Sequence, residues 1–346
     1  MSDQSQPFPW PAGSATGVGS MPGDDPVEVC RIVFGELPDL PYLPELPGRG
    51  PGAEMTGRTA CLLVDMPVQI TPRGWKLADR PGRDMTRAAG YLSHDLDALE
   101  EVAESYSGPV KVQVCGPWTL AAALELSRSL NPALADLGAV ADLTESLAEG
   151  VAAHVADVRK RLPGATLVVQ IDEPSLPAVL AGRVPTASGL GTVAAIDQLV
   201  ASQRLATVLS ATDAFTVVHC CARATPFLQI KAAGAAAVSF DVAFVGSKET
   251  DEIAELAEGG LALFAGAMPT SSAYRLVSGP PFAPRQTAEI VVQLWRRTAL
   301  AAAEFARHVV ITPACGLAGV SPAAARAVLE HCREAGRIGL EMIAGE

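Results

Sequence analysis

The stretch Thr166–Pro174, TLVVQIDEP, decides the fold. Leu167, Val168, Val169 and Ile171 make an almost unbroken apolar run of strand length, and Pro174 stops it. A strand apolar on both sides is covered on both sides, as in a parallel sheet. The same kind of run recurs outward along the chain: GPVKVQVCG (108–116), FTVVHCC (215–221), AAVSFDVAF (236–244), LALFAGAM (261–268) and HVVITPACGL (308–317). Helical stretches alternate with these runs, at 119–160, 192–209, 225–234, 248–260, 284–307 and 321–343. Ser321 is a natural N-cap for the last, with Pro322 at its first position. Six strand–helix units are plain. ELPDLPYLPEL (36–46) and TACLLVDMPVQI (59–70) can supply two more. Eight units fit one α/β domain, a (β/α)8 TIM barrel. An open doubly wound sheet is the competitor, but no strand is followed by a GxGxxG turn, and polar residues gather where strands end. Residues 1–58 are rich in Pro and Gly yet carry apolar residues throughout. They are expected to pack on the barrel as an irregular segment with one short helix over 25–34, leaving a single domain over 1–346.

Composition excludes several functions. Apolar residues make up 49% and charged residues 18%, which is not the composition of a disordered chain. Lys and Arg total 26 against 38 Asp and Glu, a net charge of −12. A nucleic-acid binder needs a basic footprint, and an anionic membrane surface would repel this chain. No apolar run approaches the ~20 residues of a transmembrane helix. The start, MSDQSQPFPWPAG, shows no secretory signal, and an odd count of seven cysteines suits reduced thiols in the cytoplasm.

The strand ends carry the chemistry. One ends in Asp172-Glu173, one in His219-Cys220-Cys221, one in Asp241 and one in Cys315-Gly316. In a barrel these ends converge on one face. His219 and Cys221 are two apart and point the same way, while Cys220 points into packing. Either residue alone reads as an ordinary core His or inert Cys. His219, Cys221 and Cys315 together, with Asp241 beside them, form a ligand set suited to zinc. Cys30, Cys61 and Cys332 read as structural. His94, His154, His308 and His331 lie in or beside helices and read as surface or core-edge residues.

Several motifs resemble those of the cobalamin-independent methionine synthase family, over nearly the whole chain: GVGSMPG (17–23), LPELPGRGPGAEM (43–55), CGPWTL (115–120), VQIDEPSL (169–176), VVHCCA (217–222), VSFD (238–241) and TPACGL (312–317). The resemblance implies a methyltransferase that passes a methyl group to homocysteine to give methionine. It places the zinc ligands on His219, Cys221 and Cys315, with Asp241 where the family has Glu. It places homocysteine on Gly19 and Ser20 through the main chain, and on Glu45 and Asp172 through carboxylates that hold the ammonium group. No catalytic side chain is implied beyond the zinc-activated substrate thiolate. Three departures stand out. The family's additional N-terminal half has no counterpart here, Asp241 is one methylene short, and Gly266-Ala267-Met268-Pro269-Thr270 lacks the family's His. These disfavour methylfolate and favour methylcobalamin or a corrinoid protein as methyl donor. Three other readings remain open: a methyltransferase on another small thiol, a uroporphyrinogen-decarboxylase-like barrel, and a non-catalytic thiol-binding homologue. Trp118 either lines a donor pocket or simply packs.

Overall fold

All six apolar runs become neighbouring parallel strands in a computed structural model, which describes residues 8–270, 280–281 and 283–345. The first seven residues of the irregular N-terminal segment lie outside that description. The N-terminal part holds α1 (Pro26–Glu36), α2 (Met55–Ala60), a hairpin of β1 (Val68–Thr71) and β2 (Gly74–Leu77), and α3 (Arg83–Val102). The sheet then runs β3 (Pro109–Cys115), β4 (Thr166–Asp172), β5 (Phe215–Cys220), β6 (Ala237–Asp241), β7 (Ala262–Met268) and β8 (Val309–Pro313), in that spatial order. The crossovers carry α4 (Pro117–Ala123) and α5 (Leu137–Arg161), α6 (Leu176–Leu180) and α7 (Gln198–Leu209), α8 (Phe227–Ala232), α9 (Ser247–Glu258), then α10 (Pro284–Arg297) and α11 (Ala302–His308). The last helix, α12 (Pro322–Ala344), begins at the Ser321 cap, whose side chain accepts from the Ala324 N–H.

Two expected long helices are each broken in two. The stretch 119–160 is interrupted over 124–136, where Leu124 turns extended, Glu125 bridges Lys76 and Pro132, and Pro132 has no N–H to give a helix. The stretch 284–307 splits near Ala299, which sits at φ 59°.

The expected eight-unit barrel is met only in part. The sheet has six strands, and the edge strands β3 and β8 are joined through N-terminal stretches by single bridges. Ala15 bridges Ile311 of β8, Ser20 bridges Glu45, and Tyr42 bridges Lys111 of β3. The Thr16 N–H donates to Ile311 (3.1 Å), Glu45 to Gly19 (3.1 Å) and Leu43 to Lys111 (2.9 Å). Pro41 and Pro44 lack the N–H that would lengthen these ladders. TACLLVDMPVQI supplies no strand to this sheet. It covers the end of α2 and strand β1, which pairs antiparallel with β2 apart from the main sheet. The segment around Ala15–Ser20 takes its place.

Side chains inside the curved sheet form layers, because alternate residues of a strand face the same way. Val168, Val217, Ala237, Ala262, Phe264 and Val310 form an apolar layer near the strand starts. Trp10 plugs it, edge-on to Phe215 and Phe264 at centroid distances of 5.0 and 5.1 Å. Two residues further along come Gln170, His219, Ser239 and Thr312, and two further Asp172, Cys221 and Asp241. The apolar floor thus fixes the polar groups at the far end. Outside, a larger apolar cluster joins strands to helices, with Val110, Val112, Val169, Ile171 and Val218 facing it.

Candidate metal centre and adjoining pocket

His219, Cys221 and Cys315 are brought together from β5, the residue after it, and the loop after β8. One ligand atom from each lies within 4.8 Å of the others. The two sulfurs are 3.4 Å apart, and all seven cysteines are free thiols. The His219 ring is buried, with Nδ1 bonded to the Ser239 hydroxyl at 2.8 Å and Nε2 without a partner. A metal-binding histidine has this arrangement: one nitrogen oriented by a neighbour, the other left for the ion. A buried ring nitrogen without a partner is otherwise costly. The Cys221 hydrogen bond to Cys315 holds the Cys315 thiol well below the usual range and pushes Cys221 up. The donor set fits zinc or a similar borderline-soft cation.

Asp241 does not join this group. Its carboxylate accepts from the Ala243 N–H at 2.9 Å and caps the turn Val242–Phe244. It lines a second cavity of about 690 Å³ with Arg223, Phe244, Ala267, Pro269 and Thr270, and that cavity shares Cys221, Cys315 and Gly316 with the first. Arg223 stands 4.3 Å over the Phe244 ring.

The first cavity, about 290 Å³, gathers the four expected substrate residues: Gly19, Ser20, Glu45 and Asp172. It reaches His219, Cys221 and Cys315 and is walled by Pro47, Glu54, Met55 and Pro174. Glu45 and Asp172 are both buried, and burial is the main force raising the affinity of each for a proton. Each is oriented by a glutamine. Gln113 donates to Glu45 (3.2 Å) and to the Leu43 carbonyl, while Gln170 donates to Asp172 (2.7 Å) and to the Val18 carbonyl.

Three devices hold the pocket walls. The Ser20 carbonyl accepts from the Leu317 N–H at 2.7 Å, joining the Gly19–Ser20 turn to the turn that carries Cys315. Glu173 is fully buried, and burial pushes it up to about 7. It accepts from the Thr119 hydroxyl and the N–H groups of Trp118 and Thr119 at the start of α4. A Cβ on Gly116 would stand 2.4 Å from that carboxylate, so only glycine fits. Behind Glu45, Arg58 of α2 pairs with buried Asp95 of α3, and Arg49 pairs with the same Asp95 at 2.7 Å.

Sequence reasoning missed Ser239, Gln113, Gln170, Lys111 and the Arg58–Asp95 pair. The signal for the first four was present: polar residues at period two inside otherwise apolar strands, as in VKVQV and VVQID. Trp118 packs, fully buried with its Nε1–H on the Ala201 carbonyl. Cys220 is buried as expected, as are Cys30 and Cys332, and Cys61 is half-buried. Among the described residues, no helix is long and apolar enough to cross a membrane.

A family model described as cobalamin-independent synthase, catalytic domain, matches residues 14–337. No curated protein matches the chain. Among solved structures, it is similar to a B12-independent methionine synthase from Shewanella sp. W3-18-1 in complex with selenomethionine. Identity is 11%, coverage 97% of this chain and 100% of that one, and the TM-score 0.64. A tryptophan synthase α-subunit from Pyrococcus furiosus aligns at 11% identity over 96% of this chain and 99% of that one, with a TM-score of 0.43. At 11% identity the likeness to the methionine synthase concerns fold alone.

Proposed function

Because the chain belongs to the cobalamin-independent synthase catalytic-domain family, and is thereby a methyltransferase, we propose that it methylates the thiol of homocysteine to give methionine at a zinc centre on His219, Cys221 and Cys315. One observation carries this reading: a single cavity joins the His/Cys cluster to two buried carboxylates, Glu45 and Asp172. We take the six-stranded sheet and its two bridging stretches as one (β/α)8 barrel domain. Seven unpaired cysteines support a reducing, cytoplasmic setting.

Glu45 and Asp172 receive the substrate ammonium, and the main chain at Gly19 and Ser20 faces the substrate carboxylate. That fixes the amino-acid end while the side chain extends toward Cys221 and Cys315. A zinc ion held by His219, Cys221 and Cys315 would supply the positive charge under which a thiol of ordinary pKa near 8.5 loses its proton. Cys221 and Cys315 offset that charge, so the substrate sulfur stays electron-rich. The sulfur then attacks the methyl carbon, a carbon–sulfur bond forms, and the old bond's electron pair leaves with the donor. Holding both ends of the amino acid provides the positioning that such a displacement needs.

The second cavity lies beyond the cysteines and suits the donor. With Asp241 engaged by Ala243 and no His at 266–270, a methyl group from methylcobalamin or a corrinoid protein fits better than one from methylfolate. Glu45 and Asp172 argue for a thiol that carries an ammonium group. The test is methionine formation from homocysteine by zinc-verified protein, with methylcobalamin and methylfolate offered in parallel. Turnover with methylcobalamin alone is expected. Turnover with methylfolate alone would overturn the donor assignment, and no turnover with either or with a corrinoid protein would leave a thiol-binding homologue.

A further inference from the structure

Arg223 lies two residues beyond Cys221 and lines the second cavity together with Cys221, Cys315 and Asp241. The turn that carries it is tied down. The Thr225 hydroxyl bonds to the carbonyls of Cys220 and Ala222 at 3.2 Å each. Ala224 stands at φ 61°, a left-handed conformation that costs energy for a residue with a Cβ. The guanidinium carbon sits 4.3 Å from the centre of the Phe244 ring, and Phe244 lines the same cavity. Among the described residues no carboxylate pairs with Arg223. Asp241, the acid of this cavity, turns one oxygen to the Ala243 N–H.

An arginine without a carboxylate on an ordinary surface needs no explanation. This one shares a cavity with both cysteine sulfurs. A donor that brings its methyl group to them carries the rest of its body past the guanidinium. An arginine held against an aromatic face keeps its N–H fork at the edge, where a planar array of donors suits an oxyanion. The net charge of −12 disfavours any anion at long range, so a donor that bears one needs a local cation. In methylcobalamin the negative group is the phosphodiester of the nucleotide loop, while the amides around the corrin ring are neutral. A phosphate oxygen pair matches the guanidinium fork.

We infer that Arg223 is the anion-recognising residue of the donor cavity: braced on Phe244, it takes the nucleotide-loop phosphodiester of a methylcobalamin-type donor whose methyl group is directed to the side of Cys221 and Cys315. The inference rests on the donor cavity of the proposed function and adds the group by which that donor is selected. Methylfolate offers carboxylates to the same cation, so the two sources of negative charge are separated by experiment.

Equilibrium dialysis of the full chain, followed by the visible absorbance of the corrin, compares methylcobalamin with methylcobinamide, which keeps the methyl–cobalt centre and lacks the nucleotide loop. Wild type holds methylcobalamin about tenfold more tightly, the worth of a hydrogen-bonded charge. Arg223→Gln loses that preference by weakening methylcobalamin, while methylcobinamide binds as before or better. Arg223→Lys, which keeps the charge without the fork, lies between. Equal weakening of both corrinoids in Arg223→Gln marks a residue that only shapes the cavity and overturns the inference. So does a wild type that binds both alike while transferring the methyl group of methylcobalamin. A raised KM for methylfolate in Arg223→Gln, with methylcobalamin binding untouched, gives the cation to a carboxylate and overturns it too. A wild type that binds neither corrinoid overturns the donor assignment itself, and the inference with it.

Discussion

Gly316 and Ser20 touch so closely that a Cβ on Gly316 would stand 2.0 Å from the Ser20 hydroxyl oxygen. The next residue, Leu317, donates its N–H to the Ser20 carbonyl. The turn that carries Cys315 and the Ser20 turn that lines the first cavity are therefore one joint. Gly316→Ala must displace Ser20, at a cost of about 1–3 kcal/mol typical of overpacking. The expected result is a raised KM for homocysteine with zinc content unchanged. A KM equal to wild type would show that the Ser20 turn moves aside without consequence.

Ser239 holds the His219 ring by Nδ1 and so aims Nε2 at Cys221 and Cys315. Removing such a partner weakens metal binding by about 10–100-fold. Ser239→Ala should therefore lose zinc to a chelator at a lower concentration than wild type, measured by metal analysis after competition. Asp241→Asn should hold zinc like wild type, since Asp241 stands outside the His/Cys group and turns one carboxylate oxygen to the Ala243 N–H. Loss of zinc from that variant would make Asp241 a ligand.

Asp95 is fully buried and receives both Arg49 and Arg58. Removing one partner from a buried ionic cluster costs about 3–5 kcal/mol, because the remaining charges lose their compensation. Asp95→Ala should unfold at clearly lower urea concentration than wild type. A shift below about 1 kcal/mol, the range of exposed ion pairs, would show that water or a rearranged partner takes over.

His154 on α5 is buried, and burial, helped by the nearby Arg58 charge, lowers it to about 4 from 6.5. The folded protein keeps this ring neutral where the unfolded chain would already take a proton. Its contribution is thus complete above pH 6.5 and is lost as pH falls toward 4. The loss is on the order of 3 kcal/mol. His154→Gln should flatten the fall in stability between neutral pH and pH 4.5, followed by urea unfolding at each pH. An unchanged slope would assign acid sensitivity to other groups.

The strand-by-strand reading was legible because the sheet is parallel. Strands covered on both sides must be apolar throughout, so β3 to β8 announce themselves, and their polar ends mark one face. His219, Cys221, Cys315, Glu45 and Asp172 could be named from local patterns and from the motif resemblance. The structure brings all five to one cavity.

The N-terminal closure was legible only in part: ELPDLPYLPEL reads as a strand unit and its Tyr42 and Glu45 do bridge Lys111 and Ser20, whereas the stretch around Ala15–Ser20, held by single bridges, shows no repeating apolar pattern. Asp241's use as a turn cap instead of a member of the His/Cys group was not legible, since a cap and a ligand present the same residue in sequence. Lys111, Gln113, Gln170 and Ser239 were visible as letters but without a role. The chain by itself determined which segments are strands and which end residues are chemically capable, since both depend on local patterning and side-chain type. Only the tertiary structure decided which polar groups lie beneath which carboxylate, and that the Ser20 and Gly316 turns meet. Those are contacts across long stretches of chain, set by how the sheet curves around its apolar floor.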